Sequence, residues 1–105
     1  MGKGDPAAVV GGGNSAGQAT VFLSGSVEKV YLIIRGGNLS QTMSSYLIER
    51  IEESKNIEVM VNSEIAEIKG DEHIESIIVI NNLTKKKQER RINSIFSLIG
   101  AIPHT

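Results

Sequence analysis

A chain of 105 residues fits one compact domain and leaves no room for a second. Hydrophobic residues make up 40% and charged residues 22%, but only 4% are aromatic, so the core has to be built from Val, Ile and Leu. That favours a buried sheet of β-branched strands covered by helices, and argues against a base-stacking platform for single-stranded nucleic acid. The formal net charge of -1 supplies no field to draw in a polyanion or an acidic membrane, and the lack of cysteine excludes a disulfide framework, a thiolate nucleophile and a Cys-based metal site in this chain.

In chain order, residues 1–6 read as an expression leader or linker; Pro6 stands where a myristoylation signal would carry Ser or Thr. Ala7-Ala8-Val9-Val10 is a short apolar run closed by Gly11-Gly12-Gly13, the pattern of a fully buried strand. Ala16, Ala19, Thr20 and Leu23 then fall at helical spacing, with Asn14 or Ser15 able to cap the start and Ser24-Gly25-Ser26 ending the run. Val30 to Ile34 is a second buried strand, stopped by Arg35-Gly36-Gly37. Met43, Leu47, Ile48 and Ile51 space out a second helix to about Ser54, and Ile57 to Val61 is a third strand. Strand, helix, strand, helix, strand implies a parallel sheet with crossover helices.

The character then changes. Glu64 to Lys69 alternates polar and apolar and is closed by Gly70-Asp71; Ile74 to Ile80 follows, then a turn at Asn81-Asn82, then Lys85 to Arg91 leading into Ile92. Three short strands joined by tight turns predict a meander lying on the sheet face. Ile95 to Ile99 is again a buried strand, closed by Gly100. The expected fold is therefore α/β: a Rossmann-like three-layer FAD/NAD(P)-binding domain over residues 7–100, with a parallel sheet and a three-stranded β-meander crossover. Residues 101–105 read as the start of a linker.

Gly11-Gly12-Gly13-Asn14-Ser15-Ala16 fits G-x-G-x-x-G/A between a predicted strand and a predicted helix. Gly11 allows the tight turn, Gly13 lets the backbone approach a pyrophosphate, and Ala16 keeps the helix close to the sheet. The pyrophosphate then lies at the helix N-terminus, where unpaired N–H groups and the helix dipole favour an anion. The alternative is a glycine turn that only connects strand to helix. A P-loop is ruled out because Gln18 and Ala19 stand where its Lys and Ser/Thr belong. A methyl donor such as S-adenosylmethionine would call for an acidic residue after the second strand, where this chain has Arg35. An arginine there suits the 2′-phosphate of NADP, which a guanidinium pairs bidentately; the plainer reading is an exposed strand-end arginine. Ser40 and Ser44 are candidate phosphate partners, or simply caps and loop polars.

Val9 to Ala19 resembles the glycine loop of the thioredoxin reductase-like family of FAD-dependent pyridine nucleotide-disulfide oxidoreductases. Val30 to Arg35 is similar to that family's second strand, and Phe96 to Thr105 to the segment where its chain leaves the NADPH domain for the FAD domain; Met43 to Leu47 resembles a subgroup sometimes fused to cyclic-nucleotide-binding domains. The resemblance implies that Gly11, Gly12, Gly13, Asn14, Ser15 and Ala16 line the pyrophosphate, that Arg35 meets the adenosine phosphate, and that Ile99 and Gly100 pack against the nucleotide. It further implies an NADPH-binding domain that positions NADPH for hydride transfer to FAD in the intact, homodimeric enzyme, with the flavin held in the FAD domain of the parent chain. The family offers more than one basic residue after the second strand, whereas Gly36-Gly37 follow Arg35 here. Its redox Cys-x-x-Cys precedes the first strand and does not fall within this chain. The 105 residues alone are expected to bind NAD(P)H without turnover.

The rival readings are a stand-alone, non-catalytic dinucleotide-binding or sensing module, and a methyltransferase-like domain. Lys85-Lys86-Lys87 with Arg90-Arg91 is the basic cluster, read as a solvated hairpin tip because no aromatics interleave it, so no nucleic-acid partner is expected. Glu49, Glu52, Glu53 and Arg50 read as the wet face of the second helix. His73 has no arguable partner, no metal site is expected, and nothing favours a paired-carboxylate hydrolase. No apolar run approaches the ~20 residues of a membrane span, and the expected location is cytoplasmic.

Overall fold

The computed structural model describes residues 5–11, 13–37, 43–72 and 74–97. Among them the chain forms β1 (Ala7–Val10), α1 (Asn14–Ser24), β2 (Val30–Ile33), α2 (Ser45–Glu53) and β3 (Ile57–Met60), then β4 (Ser63–Lys69), β5 (Ser76–Asn81), β6 (Lys87–Arg91) and β7 (Ser94–Ser97). Four strands make a parallel sheet in the order β3-β2-β1-β7, and β4-β5-β6 make a separate antiparallel sheet. This is the predicted α/β architecture.

Alternation along the short central strands divides the core into two layers. Val9, Val30, Leu32 and Ile34 pack with Ala16 of α1 and with Met43, Leu47 and Ile51 of the α2 segment. Ala8, Ile33 and Met60 point to the opposite face, where they meet Ile77, Val79 and Ile92 of the meander. Because a strand's side chains change face at every residue, adjacent positions such as Leu32 and Ile33 serve different layers. Each fully buried large aliphatic side chain contributes about 1.5–3 kcal/mol from burial alone. Both sheet faces are thus covered, as parallel strands require.

Two details depart from simple pattern reading. Ile65 and Ile68 are an odd number of positions apart, so strict alternation would put them on opposite faces. The β4–β5 register shifts between Ile65 and Glu67, leaving Ala66 as an extra residue. Ile65 then pairs with Val79 and Ile68 with Ile77, which sets both on one face of the meander; Ile65 packs against the core there, while Ile68, nearer the end of the strand, stays exposed. The other departure concerns the start of α1. Neither Asn14 nor Ser15 caps the helix: Gly13 is the N-cap, with no side-chain cap hydrogen bond. Asn14 Oδ1 instead accepts from the Ser44 backbone N–H at 2.8 Å, tying the start of α1 to the start of α2. Ser44 is the N-cap of α2, as a capping role for it anticipated; its Oγ accepts from Leu47 N–H at 3.4 Å.

Beside the corner at Asn62, whose carbonyl accepts from Asn82 N–H at 2.6 Å, Asn81 Oδ1 accepts from the backbone N–H groups of Leu83 and Thr84, closing the β5–β6 turn that Asn81-Asn82 predicts. Lys85, Lys86 and Lys87 are exposed there. Arg90 is not part of that solvated tip. Its guanidinium reaches Glu58 of β3 at 3.1 Å and lies 5.9 Å from the ring centroid of Tyr31, which also carries Lys29 at 5.6 Å. This polar cluster joins the meander to the parallel sheet at the edge of the apolar layer.

Candidate functional site

The glycine loop leaves β1 at the carboxyl end of the parallel strands. Gly11 N–H donates to Ile33 O at 3.1 Å, continuing the β1–β2 ladder by one bond beyond the strand. Its φ of 147° lies in a region that residues with a Cβ rarely adopt, so glycine is required for the chain to turn out of the sheet. Gly13 has ordinary extended backbone, φ -94° and ψ -174°, and so does not need to be glycine for conformational reasons. A Cβ built on Gly13 meets nothing within 4 Å. The loop therefore presents open space directly before the first turn of α1, where the initial N–H groups have no side-chain cap. That is the arrangement an anion at a helix N-terminus needs.

Ala16 is fully buried against the sheet, in the close-packing position expected of it. Gly17, next to it, makes the other close approach: an added Cβ would stand 2.7 Å from Met43 Sδ and 3.2 Å from Leu47 Cδ1. Sequence reading did not single out Gly17, because its constraint comes from α2 and not from the loop. Thr20, also buried, satisfies its hydroxyl locally by donating to Ala16 O at 2.8 Å.

Arg35 follows β2 at the same end of the sheet, since Val10 and Ile33 are parallel partners. Its side chain is 71% exposed, and its Nε lies 3.5 Å from Glu64 Oε1, whose own side chain is 45% exposed. Glu64 reaches this place because the start of β4 is fastened over the end of β2. Asn62 N–H donates to Gly36 O and Ser63 N–H to Ile34 O, each at 2.8 Å, and Asn62 takes a positive φ of 51° to make the corner. Gly11, Gly13, Asn14, Ser15, Ala16 and Arg35 are thus brought to one end of the parallel sheet. Gly12, Ser40, His73, Ile99 and Gly100 lie outside the described residues.

A groove of about 280 Å³ runs beside this end, between α1 and α2, with Asn14, Gln18, Ser44, Tyr46 and Arg50 on its walls. Among the described residues no group of three or more His, Asp or Glu side chains is placed to hold a metal ion. No described helix is long and apolar enough to cross a membrane. What the arrangement offers is an uncapped helix N-terminus facing open space at Gly13 and, one strand over, a paired cation and carboxylate.

Comparison with known proteins agrees with this geometry. The family described as pyridine nucleotide-disulphide oxidoreductase matches residues 6–85. The thioredoxin reductase of Debaryomyces hansenii is 40% identical over 101 residues, covering 95% of this chain and 31% of that protein. The thioredoxin reductase of Borreliella burgdorferi is 35% identical over 103 residues, covering 98% and 31%. Among solved structures, the thioredoxin reductase from Giardia duodenalis superposes with a TM-score of 0.87 at 28% identity, over 95% of this chain and 32% of that one. The chain therefore spans about a third of the length of the relatives it matches.

Proposed function

The chain belongs to the pyridine nucleotide-disulphide oxidoreductase family, as a thioredoxin reductase-like domain, and from that premise we propose that it is the NADPH-binding domain, holding NADPH for hydride transfer to FAD. The observation that carries the reading is the juxtaposition of an open Gly13 with Arg35 at one end of the parallel sheet. Gly11 to Ala16 hold the pyrophosphate on the N-terminus of α1, and Arg35 takes the adenosine 2′-phosphate. An FAD site of the same fold would favour an acidic residue directly after β2 for the ribose hydroxyl, and this chain has an arginine there. NADPH, when bound, supplies the hydride. The protein's part is to fix the dinucleotide at the carboxyl ends of the strands, where ligands of open α/β sheets bind.

The test is an amide-resolved titration of the chain with NADPH, NADH, FAD and S-adenosylmethionine at equal concentrations. The expected outcome is a shift of the Gly11 to Gly17 amides by NADPH, and a weakening of NADPH binding by Arg35→Ala. Perturbation of the loop by FAD alone, or by none of the four, overturns the assignment.

A further inference from the structure

The end of β2 carries a charge arrangement that neither strand shows by itself. A dinucleotide site commonly discriminates at the adenosine ribose. An acidic side chain hydrogen-bonds the 2′-hydroxyl of NADH, while an arginine receives the 2′-phosphate of NADPH. Here both chemistries occupy one place. Arg35 comes from the end of β2, and no Lys or Arg follows it in the chain until Arg50. Glu64 comes from β4 and is set beside Arg35, Nε to Oε1 3.5 Å, by the two backbone hydrogen bonds that fasten Asn62 and Ser63 to Gly36 and Ile34. Neither side chain is committed to the core: they are 71% and 45% exposed, and an exposed pair of this kind holds itself together only weakly. A ligand can therefore engage either partner at little cost to the fold.

We propose that Glu64 is a specificity-determining residue. With Arg35 it forms a two-way selector, in which Arg35 takes the 2′-phosphate of NADPH and Glu64 accepts from the 2′-hydroxyl of NADH. The carboxylate also sets a like charge beside the NADPH phosphate and neutralises the arginine that attracts it. The consequence is a domain that admits NADH beside NADPH, and whose degree of preference for NADPH is set by one carboxylate. This inference rests on the dinucleotide reading given above.

The experiment is calorimetric titration of the 105-residue chain with NADPH and with NADH, for the native sequence, Glu64→Gln, Arg35→Ala and the double variant. Removing a like charge from beside a dianionic phosphate and a charged acceptor from a hydroxyl each changes affinity by a factor of a few, so Glu64→Gln shifts the NADPH-to-NADH affinity ratio about tenfold toward NADPH. NADPH binds tighter and NADH weaker, and the NADPH gain shrinks as salt is raised. An unchanged ratio in Glu64→Gln, while Arg35→Ala still weakens NADPH, overturns the selector and leaves the binding site standing. A loss of NADPH affinity in Glu64→Gln also overturns it, because it makes Glu64 only a brace that orients Arg35. If the native chain takes neither dinucleotide, the underlying reading fails and the selector with it. A thermal midpoint for Glu64→Gln equal to that of the native chain guards against misreading an unfolded variant.

Discussion

Replacing Gly13 separates the needs of the fold from those of the ligand. The backbone there is extended, and a Cβ enters open space, so Gly13→Ala introduces neither strain nor collision. Losing glycine freedom in the unfolded chain stabilises by about 0.4–1 kcal/mol. Alanine is a poorer N-cap than glycine, which costs about 0.5–1 kcal/mol. The two nearly cancel, and the expected change in stability is within about 0.5 kcal/mol of zero. Gly13→Ser keeps the entropic gain and adds a hydroxyl that can accept from the N–H of Ser15 or Ala16, so it should stabilise by about 1 kcal/mol. Both variants put atoms where the pyrophosphate is proposed to lie, and both should lose at least about tenfold in NADPH affinity, roughly 1.4 kcal/mol. Urea unfolding followed by circular dichroism gives the first quantity and calorimetry the second. A more stable Gly13→Ser chain that binds NADPH as well as the native one would refute the assignment of this loop to the cofactor. A Gly13→Ala chain destabilised by more than about 1.5 kcal/mol would instead show that the space is not open, since no packing loss is available to explain it.

Three further substitutions test the scaffold. Gly11→Ala forces a side chain into φ 147° and should cost about 1–3 kcal/mol in urea unfolding, in contrast to its neutral neighbour. Gly17→Ala gains about 1 kcal/mol of helix propensity but overpacks the α1–α2 contact at a cost of about 1–3 kcal/mol, so a net loss near 1 kcal/mol is expected by the same assay. The collision with Met43 Sδ at 2.7 Å is what tips that balance, although a thioether can partly move aside. Ile77→Ala empties a fully buried site between the meander and the sheet and should lower stability by about 2–5 kcal/mol, visible as a shift in thermal midpoint.

Much of this was legible from residues alone, and the reasons differ by element. Ala7-Ala8-Val9-Val10 followed by three glycines admits few structures other than a buried strand and a turn, and β1 has the predicted bounds. The meander showed itself through turn residues, Gly70-Asp71 and Asn81-Asn82, between β-branched runs. The bulge at Ala66 did not, because pairing with Val79 and Ile77 is what forces Ile65 and Ile68 onto one face. The cap of α1 departs from the local pattern for a similar reason. Asn14 has the chemistry of an N-cap, but Ser44 N–H competes for its oxygen from a distant part of the chain. Of the candidate site, the glycine loop and Arg35 were evident. Glu64 was not, since its place beside Arg35 depends on the corner at Asn62, which no local pattern announces.

The position of β1 also governs how the domain comes together in time. One of its edges pairs with β2, a near neighbour in sequence, and the other with β7, across almost the whole chain. The loop-closing entropy of the second ladder is met only after the meander has been traversed, so the rate-limiting event of folding should involve this long-range pairing. The β1-α1-β2 unit, which holds the glycine loop, can form first. Until β7 arrives, however, the strand that carries the loop presents a bare hydrogen-bonding edge. Such an edge readily recruits strands from other molecules. Refolding at high protein concentration should therefore lose material to aggregation at this stage, while the finished domain keeps β1 protected on both sides.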